Sequence, residues 1–175
     1  MTDFHVFSQE ALLDEIGRAW DELNSALDGL TAEQMSGPTD ANGWRVQDHL
    51  SHMGAWHNWA RLRMQGRPTW EGLGITEADV SSGDTDTANA AIRARHAGKT
   101  AAEARTFLTE TYHLLVAHVA GLDEAALSLP FRTLGPNEPA DRVIPPVSHI
   151  VFESTVEHYR EHLGWFGSYR FDGDE

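Results

Sequence analysis

The stretch Thr155-Val-Glu-His-Tyr-Arg-Glu-His-Leu-Gly-Trp165 predicts an α-helix that carries two histidines four residues apart. That spacing places His158 and His162 on one helical face, one turn from each other. At about 100° per residue, the same face continues as a mainly apolar stripe in both directions. The stripe consists of Val147, Ile150, Val151, Ser154, His158, His162, Trp165 and Tyr169. We therefore expect both imidazoles to point into the protein.

Two buried imidazoles need partners, because each ring carries two nitrogen atoms that form hydrogen bonds or bind a metal. A metal ion is one such partner, since neutral imidazole is the commonest side-chain metal ligand. The alternative is a polar core in which the rings bond to carbonyl groups or to Glu157 or Glu161. The pair is not the zinc-protease motif, because Tyr159 stands where that motif requires glutamate.

The rest of the chain predicts further amphipathic helices. The long helices are expected at 8–30, 44–65, 100–121 and from Pro145 or Pro146 to about Tyr169. A short helix is expected at 86–97, short turns at 31–34 and 123–127, and long loops at 66–85 and 128–146. Four long helices without a convincing strand predict an all-α fold, a four-helix bundle with long crossover loops and short extra helices. The length of 175 residues fits one domain spanning 1–175.

Composition narrows the classes of partner. The formal net charge of −14 repels phosphate backbones and anionic lipids, so we expect no nucleic-acid partner and no membrane partner. No apolar run approaches a membrane span, and the first residues do not resemble a signal peptide, so the cytoplasm is the expected compartment. The chain has no cysteine, which excludes disulfides, thiolate ligands and a cysteine nucleophile.

The helix predicted at 44–65 supplies candidates for a third ligand. Val46, Leu50, Met53, His57, Ala60 and Met64 form its central stripe, and His49, His52, Trp56, Trp59 and Arg63 lie along one flank. His49, His52 and His57 all remain open as ligands by this pattern. Trp44, Trp56 and Trp59 are candidates for the walls of an apolar substrate pocket, with core packing as the alternative.

Two segments resemble the DinB/YfiT-like superfamily of metal-binding four-helix bundles. They are Trp44-Arg-Val-Gln-Asp-His-Leu-Ser-His-Met53 and His158-Tyr-Arg-Glu-His162. The resemblance implies that the metal ligands are His52, His158 and His162. Arg45 replaces the usual capping hydroxyl, and His49 replaces an apolar residue, so His49 is either a competing ligand or a pocket residue supporting the site.

The length and two short segments, Asn89-Ala-Ala-Ile92 and Leu122-Asp-Glu-Ala-Ala-Leu127, look more specifically like the ClbS/DfsB-type branch of that superfamily. This implies a metal-dependent hydrolase or thiol S-transferase that acts on a small electrophilic or apolar metabolite, in detoxification or resistance. Zn²⁺, Ni²⁺ and Fe²⁺ all suit imidazole ligands. Such an ion lowers the pKa of a bound water towards about 7, and a low-molecular-weight thiol is a candidate cosubstrate. Asp48 and Glu157 are candidates for orienting a ligand or moving a proton.

Two alternatives remain open. The chain is alternatively a ClbS-like resistance protein that binds or hydrolyses a toxic small molecule without a metal, or a non-catalytic bundle with a vestigial metal site. A small-molecule substrate is the expected partner, and bundles of this resemblance often form homodimers.

Overall fold

A computed structural model of the chain describes residues 4, 6–131 and 144–166. Regular secondary structure in these residues is helical, apart from one isolated antiparallel bridge between Pro130 and Pro146. The elements are α1 Gln9–Asp28, α2 Ala32–Ser36, α3 Val46–Met64, α4 Thr69–Leu73, α5 Glu77–Val80, α6 Thr85–His96, α7 Ala101–Ala120, α8 Glu124–Ser128, α9 Val147–Phe152, a π-helical turn Glu153–Glu157 and α10 His158–Phe166. The predicted all-α class is confirmed.

Four long helical segments form the bundle: α1, α3, α7 and the composite last helix made of α9, the π-helical turn and α10. α1 starts where Ser8 accepts a hydrogen bond of 3.2 Å from the backbone N–H of Ala11, which satisfies one of the unpaired donors of the first turn. The buried side chains of α1 recur every three or four residues: Leu12, Ile16, Ala19, Leu23 and Leu27. This stripe packs against α7 and the composite last helix.

α3 lies in the middle of the molecule and is buried on most of its faces. It approaches α7 closely at Gly54, where a Cβ atom would lie 2.8 Å from the ring of Phe107. Glycine at this position therefore allows α3 and α7 to pack tightly. The two stripes predicted on α3 are both largely buried, so the polar residues of this helix lie inside the protein, where they can line a site.

The prediction of one long loop at 66–85 is wrong, because the segment contains α4 and α5. α4 packs directly on α3: a Cβ atom on Gly72 would lie 2.7 Å from Cα of Trp59. Leu73 joins Ala55, Ala88 and Ile92 in a second, smaller apolar core. Helices this short have too few turns to produce a recognisable period in the sequence. Their stability comes from tertiary packing, which the local sequence does not show.

The predicted last helix is not a continuous α-helix. The backbone N–H of His158 donates to the carbonyl groups of Glu153 and Thr155, which defines the π-helical turn. This turn changes the helical register, so that Thr155, Val156 and Tyr159 are fully buried while Trp165 remains 40% exposed. The predicted continuation to Tyr169, the acidic tail and most of the 128–146 loop lie outside the described residues.

None of the described helices combines the length and the apolar character that crossing a bilayer requires.

Candidate metal centre

Three histidines from two helices meet beside the bundle core. Nε2 of His158 lies 2.9 Å from Nε2 of His52 on α3, and 2.9 Å from Nε2 of His162 on α10. One ring nitrogen from each of the three residues lies within 4.8 Å of the other two. Two nitrogen atoms that bind one Zn²⁺ at about 2.0–2.1 Å are at most about 4.2 Å apart, and both measured Nε2 pairs satisfy this limit. The three side chains are therefore able to hold a divalent transition-metal ion.

Burial keeps these imidazoles in the neutral form, which is the form that binds metal. Removal from water lowers the pKa of His158 to about 4. Burial, together with the charge of His158, lowers the pKa of His52 and of His162 well below their usual range. A neutral ring offers a nitrogen lone pair at pH 7, so the cluster does not need to lose protons before it accepts an ion.

The π-helical turn fixes the orientation of the His158 ring. In a regular α-helix, the carbonyl group of Ser154 would accept the backbone N–H of His158. Here that N–H donates to Glu153 and Thr155, and the backbone of Ser154 instead hydrogen-bonds to the His158 imidazole. Because Nε2 faces His52 and His162, this bond belongs to Nδ1 of the ring, and it leaves Nε2 with a lone pair directed at the cluster.

His57, which the helical stripe left open as a ligand, belongs to a different network. Its Nε2 lies 2.6 Å from the hydroxyl of Tyr159, and its Nδ1 lies 3.3 Å from Oγ1 of Thr111. Thr111 donates its own hydroxyl proton to the carbonyl group of Phe107 or Leu108. The consistent arrangement is that Tyr159 donates to Nε2 of His57, and Nδ1–H of His57 donates to Thr111. Burial lowers the pKa of His57 to about 3, so this ring is a neutral structural link between α3, α7 and α10.

His49 lies beside the cluster but turns towards the loop that precedes α3. Its Nε2 lies 3.2 Å from Oδ2 of Asp40, and its ring centroid lies 4.8 Å from that of His162. The other carboxylate oxygen of Asp40 accepts the backbone N–H groups of Asn42 and Trp44. Burial lowers the pKa of His49, although Asp40 partly offsets this effect. The structure therefore places His49 as a wall residue next to the three-histidine cluster.

The two predicted carboxylates are not brought to the cluster. Asp48 accepts hydrogen bonds from the backbone and guanidinium of Arg45, and lies 3.6 Å from Nε of Arg93. Burial would raise the pKa of Asp48, but the hydrogen bonds from Arg45 hold it below the usual value. Glu157 is exposed on the outer side of the composite last helix. In this structure the contacts of Asp48 are those of a capping residue at the start of α3.

Two cavities flank the cluster and share His52, Asp86, Asn89, His162 and Trp165. The arginine cavity, of about 760 Å³, is lined also by Thr39, Asp40, Asn42, Gly43, Trp44, Arg45, His49, Ala90, Arg93, Ala94 and Ala97. The tryptophan cavity, of about 430 Å³, is lined also by Trp56, Trp59, Thr85, Ile150, Glu153, Ser154, His158 and Glu161. All four predicted pocket residues, His49 and the three tryptophans, therefore line one of these cavities.

Aromatic rings shape the entrance to the histidines. Trp44 meets the ring of His52 edge-on at 5.5 Å between centroids, and Trp165 meets the ring of His162 at 4.6 Å. Trp56 contacts His52 at 6.2 Å and donates its indole N–H to Asn89 on α6 at 3.2 Å. These contacts restrict water around the imidazoles and give the site apolar walls.

The sequence does not predict several residues that line or support the site. Asp40, Arg93 and Asn89 reach it from the loop before α3 and from α6, and nothing in the local sequence indicates these long-range contacts. Trp165 was a member of the predicted stripe, and its position three residues after His162 is the one signal that indicated a place beside the cluster.

Comparison with known proteins gives a sequence match and several structural matches. The family model described as the mycothiol maleylpyruvate isomerase N-terminal domain matches residues 16–145. No curated protein matches the chain in sequence.

The solved structures share the fold at low sequence identity. A protein of Streptococcus pneumoniae matches with a TM-score of 0.74 and 15% identity, over 94% of this chain and 91% of that chain. The sibling lethal factor precursor DfsB matches with a TM-score of 0.71 and 14% identity, over 93% of this chain and 95% of its own. The colibactin self-resistance protein ClbS, solved in complex with double-stranded DNA, matches with a TM-score of 0.69 and 17% identity, over 91% and 93%.

Proposed function

Because the chain belongs to the family of the mycothiol maleylpyruvate isomerase N-terminal domain, which includes enzymes, we propose that it is a metal-dependent enzyme. The predicted resemblance to the DinB/YfiT-like superfamily is confirmed by this membership and by the shared fold of ClbS and DfsB. The reaction that we propose is hydrolysis of a small electrophilic metabolite or transfer of a thiol to it. One observation carries the proposal: three neutral imidazoles, two of them buried and that of His158 partly buried, converge beside two cavities.

The proposed ligands are His52, His158 and His162. A divalent ion held by neutral ligands keeps its full charge and supplies Lewis acidity at the site. The chain's own residues prepare that site: the backbone of Ser154 orients His158, and Trp44, Trp56 and Trp165 limit access of water to the imidazoles. Water exclusion strengthens electrostatic interactions with a polarised substrate. The Asp48 and Glu157 positions support no chemical role, so the proposal assigns them none.

The thiol-transfer form of the proposal requires an external thiol. The chain has no cysteine, so it cannot provide the sulfur itself. The arginine cavity, at about 760 Å³, has the volume of a site for a small molecule. It adjoins the cluster through His52 and His162, so a cosubstrate bound there would lie next to the proposed metal. A small molecule remains the proposed partner, and the net charge of −14 still predicts no DNA binding, in contrast to ClbS.

Metal titration with matched variants tests the proposal. We expect purified wild-type protein stripped with chelator to bind one equivalent of Zn²⁺. His52→Ala and His162→Ala should lose more than about 100-fold in affinity, beyond what removal of a supporting group costs. His113→Ala, which removes an exposed histidine on α7, is the control and should bind normally.

Activity is measured with the same variants, using hydrolysis of p-nitrophenyl acetate and loss of free thiol in the presence of a Michael acceptor. The metal-loaded wild type and His113→Ala should turn over at least one of these reactions, and the two cluster variants should not. Equal turnover by wild type and His162→Ala would refute the metal-dependent reaction. Ligand binding that persists without metal and without turnover would favour the resistance protein that only binds its target.

A further inference from the structure

We propose that the tryptophan cavity takes the cationic end of an apolar substrate, such as a protonated or quaternary amine. The inference rests on the proposed function in taking this site as the substrate site, and it adds the charge class of the substrate. The cavity has carboxylates and aromatic rings around its opening, and the three histidines line it.

The rim of the tryptophan cavity is acidic. Asp86 approaches from the first turn of α6, Glu153 from the π-helical turn and Glu161 from α10. Among the described residues that line this cavity, there is no lysine or arginine. Three carboxylates exceed the charge of one divalent ion at the histidines, so the cavity keeps a negative potential when the metal is bound. Oε1 of Glu153 also lies 3.4 Å from Nε2 of His149 on α9.

The walls of the cavity are suited to a cation with an apolar body. The ring centroids of Trp56 and Trp59 lie 5.0 Å apart at an interplanar angle of 71°, and Trp165, which contacts His162, lines the same cavity. Indole faces attract ammonium groups through the ring quadrupole, and several rings around one opening form the kind of cage that recognises quaternary amines. Ile150 adds an apolar surface next to Glu153.

The three histidines of the cluster also line the cavity. His52 and His162 are each more than nine-tenths buried, and the Nδ1 atom of each has no hydrogen-bond partner in the described part of the chain. Because His52, His158 and His162 line the cavity, the other end of a substrate whose cationic end stays at the rim would lie next to the cluster.

The neighbouring cavity provides a contrast. The arginine cavity shares Asp86 with the tryptophan cavity, and its other charged lining residues, histidines aside, are one carboxylate, Asp40, and two guanidinium groups, Arg45 and Arg93. These two guanidinium groups offset both carboxylates, so the arginine cavity lacks the excess of negative charge that would select a cation. The preference for a positive group therefore belongs to the tryptophan cavity, on the side formed by α10 and the π-helical turn.

Tryptophan fluorescence with three probes of one shape tests this inference. The probes are choline, the neutral 3,3-dimethylbutan-1-ol and the anionic 3,3-dimethylbutanoate, each titrated at constant ionic strength. We expect choline to bind about 10-fold more tightly than the neutral alcohol, which corresponds to about 1.4 kcal/mol from cation–π and carboxylate contacts. The anion should bind more weakly than both. No preference for choline, or tighter binding of the anion, would overturn the inference.

Matched glutamate variants locate the cation. Glu153→Gln and Glu161→Gln should each weaken choline binding by about 2- to 5-fold, as expected for partly exposed charge pairs. Glu157→Gln changes the same group on the same composite helix, but outside the cavity, and should leave binding unchanged. Equal effects of all three variants would show a general charge effect and would refute the site.

The His162→Ala variant separates the two proposals. Its choline preference over the neutral alcohol should persist, since the carboxylates and tryptophans remain, while its zinc binding should be lost. If the wild type neither binds zinc nor turns over a substrate but still prefers choline to the neutral alcohol, only the proposed reaction is refuted. Normal zinc-dependent turnover without a choline preference would refute only the substrate class.

Discussion

The buried link between Tyr159 and His57 gives a direct test of how the two ligand-bearing helices are held together. Tyr159 follows His158 on α10, and His57 lies on the same helix as His52. The Tyr159 hydroxyl and Nε2 of His57 are 2.6 Å apart, and both residues are fully buried. Tyr159→Phe removes the hydroxyl donor and leaves the shape of the ring nearly unchanged.

The expected cost follows from what the substitution leaves behind. Nε2 of His57 keeps its lone pair but loses its donor, and water cannot reach it. An unpaired buried polar atom costs about 1–3 kcal/mol, so we expect the free energy of unfolding to fall by about 2 kcal/mol. His57→Leu removes the other partner. The two substitutions together should cost less than their sum, with a coupling energy of about 1 kcal/mol or more.

Urea denaturation at pH 7 in the presence of chelator measures these differences without a contribution from metal binding. Tyr112→Phe is the control, because it makes the same chemical change in a half-buried ring that stacks on Trp20. We expect the control to cost less than about 0.5 kcal/mol. A loss from Tyr159→Phe no larger than that of the control, together with additive effects in the double variant, would refute the proposed network.

Two further predictions concern pH and the backbone of the last helix. The pKa values of about 3 for His57 and about 4 for His158 lie below the ordinary value of 6.5, so the unfolded chain binds protons that the folded chain does not. The free energy of unfolding of the metal-free protein should therefore fall as the pH decreases from 6.5 towards 4, by about 2 kcal/mol per histidine at pH 5. Urea denaturation at a series of pH values measures this fall, and His57→Leu should make the dependence of the unfolding free energy on pH less steep. Deletion of Ser154 removes the extra residue of the π-helical turn, so the last helix can become a regular α-helix with α9 and α10 in place, but the backbone group that hydrogen-bonds to the His158 imidazole is lost. Zinc affinity should fall more than about 10-fold, whereas Ser154→Ala, which keeps the backbone carbonyl, should bind normally; equal affinity of the two variants would contradict the role of the turn.

The sequence predicts the helical class and much of the site through local spacing. The four-residue separation of His158 and His162 predicts that both imidazoles lie on one face, and the resemblance selects His52 among three histidines of α3. The helical period alone does not show whether His52 or His57 is the ligand, because both sides of α3 are buried. The distinction depends on what each ring meets, and for His57 that is Tyr159, which is 102 residues away.

The structural elements that the sequence does not predict depend on packing between distant segments of the chain. α4 and α5 have only five and four residues, and packing on α3 stabilises them. The π-helical turn reflects how one residue too many is accommodated between two packed ends of a helix. A projection with a constant angle per residue does not include this turn, so it misses the burial of Thr155, Val156 and Tyr159.

The irregular turn also bears on how this chain is aligned with its relatives. A homologue whose last helix is a regular α-helix would have one residue fewer between the segments that correspond to α9 and α10. A gapless alignment of such a pair, anchored on α9, would place the ligand histidines of the homologue opposite Glu157 and Glu161, and it would suggest that the metal site had been lost. A one-residue gap placed within 153–157 restores the correspondence of His158 and His162, so surveys of site occupancy across the family need to allow an insertion there.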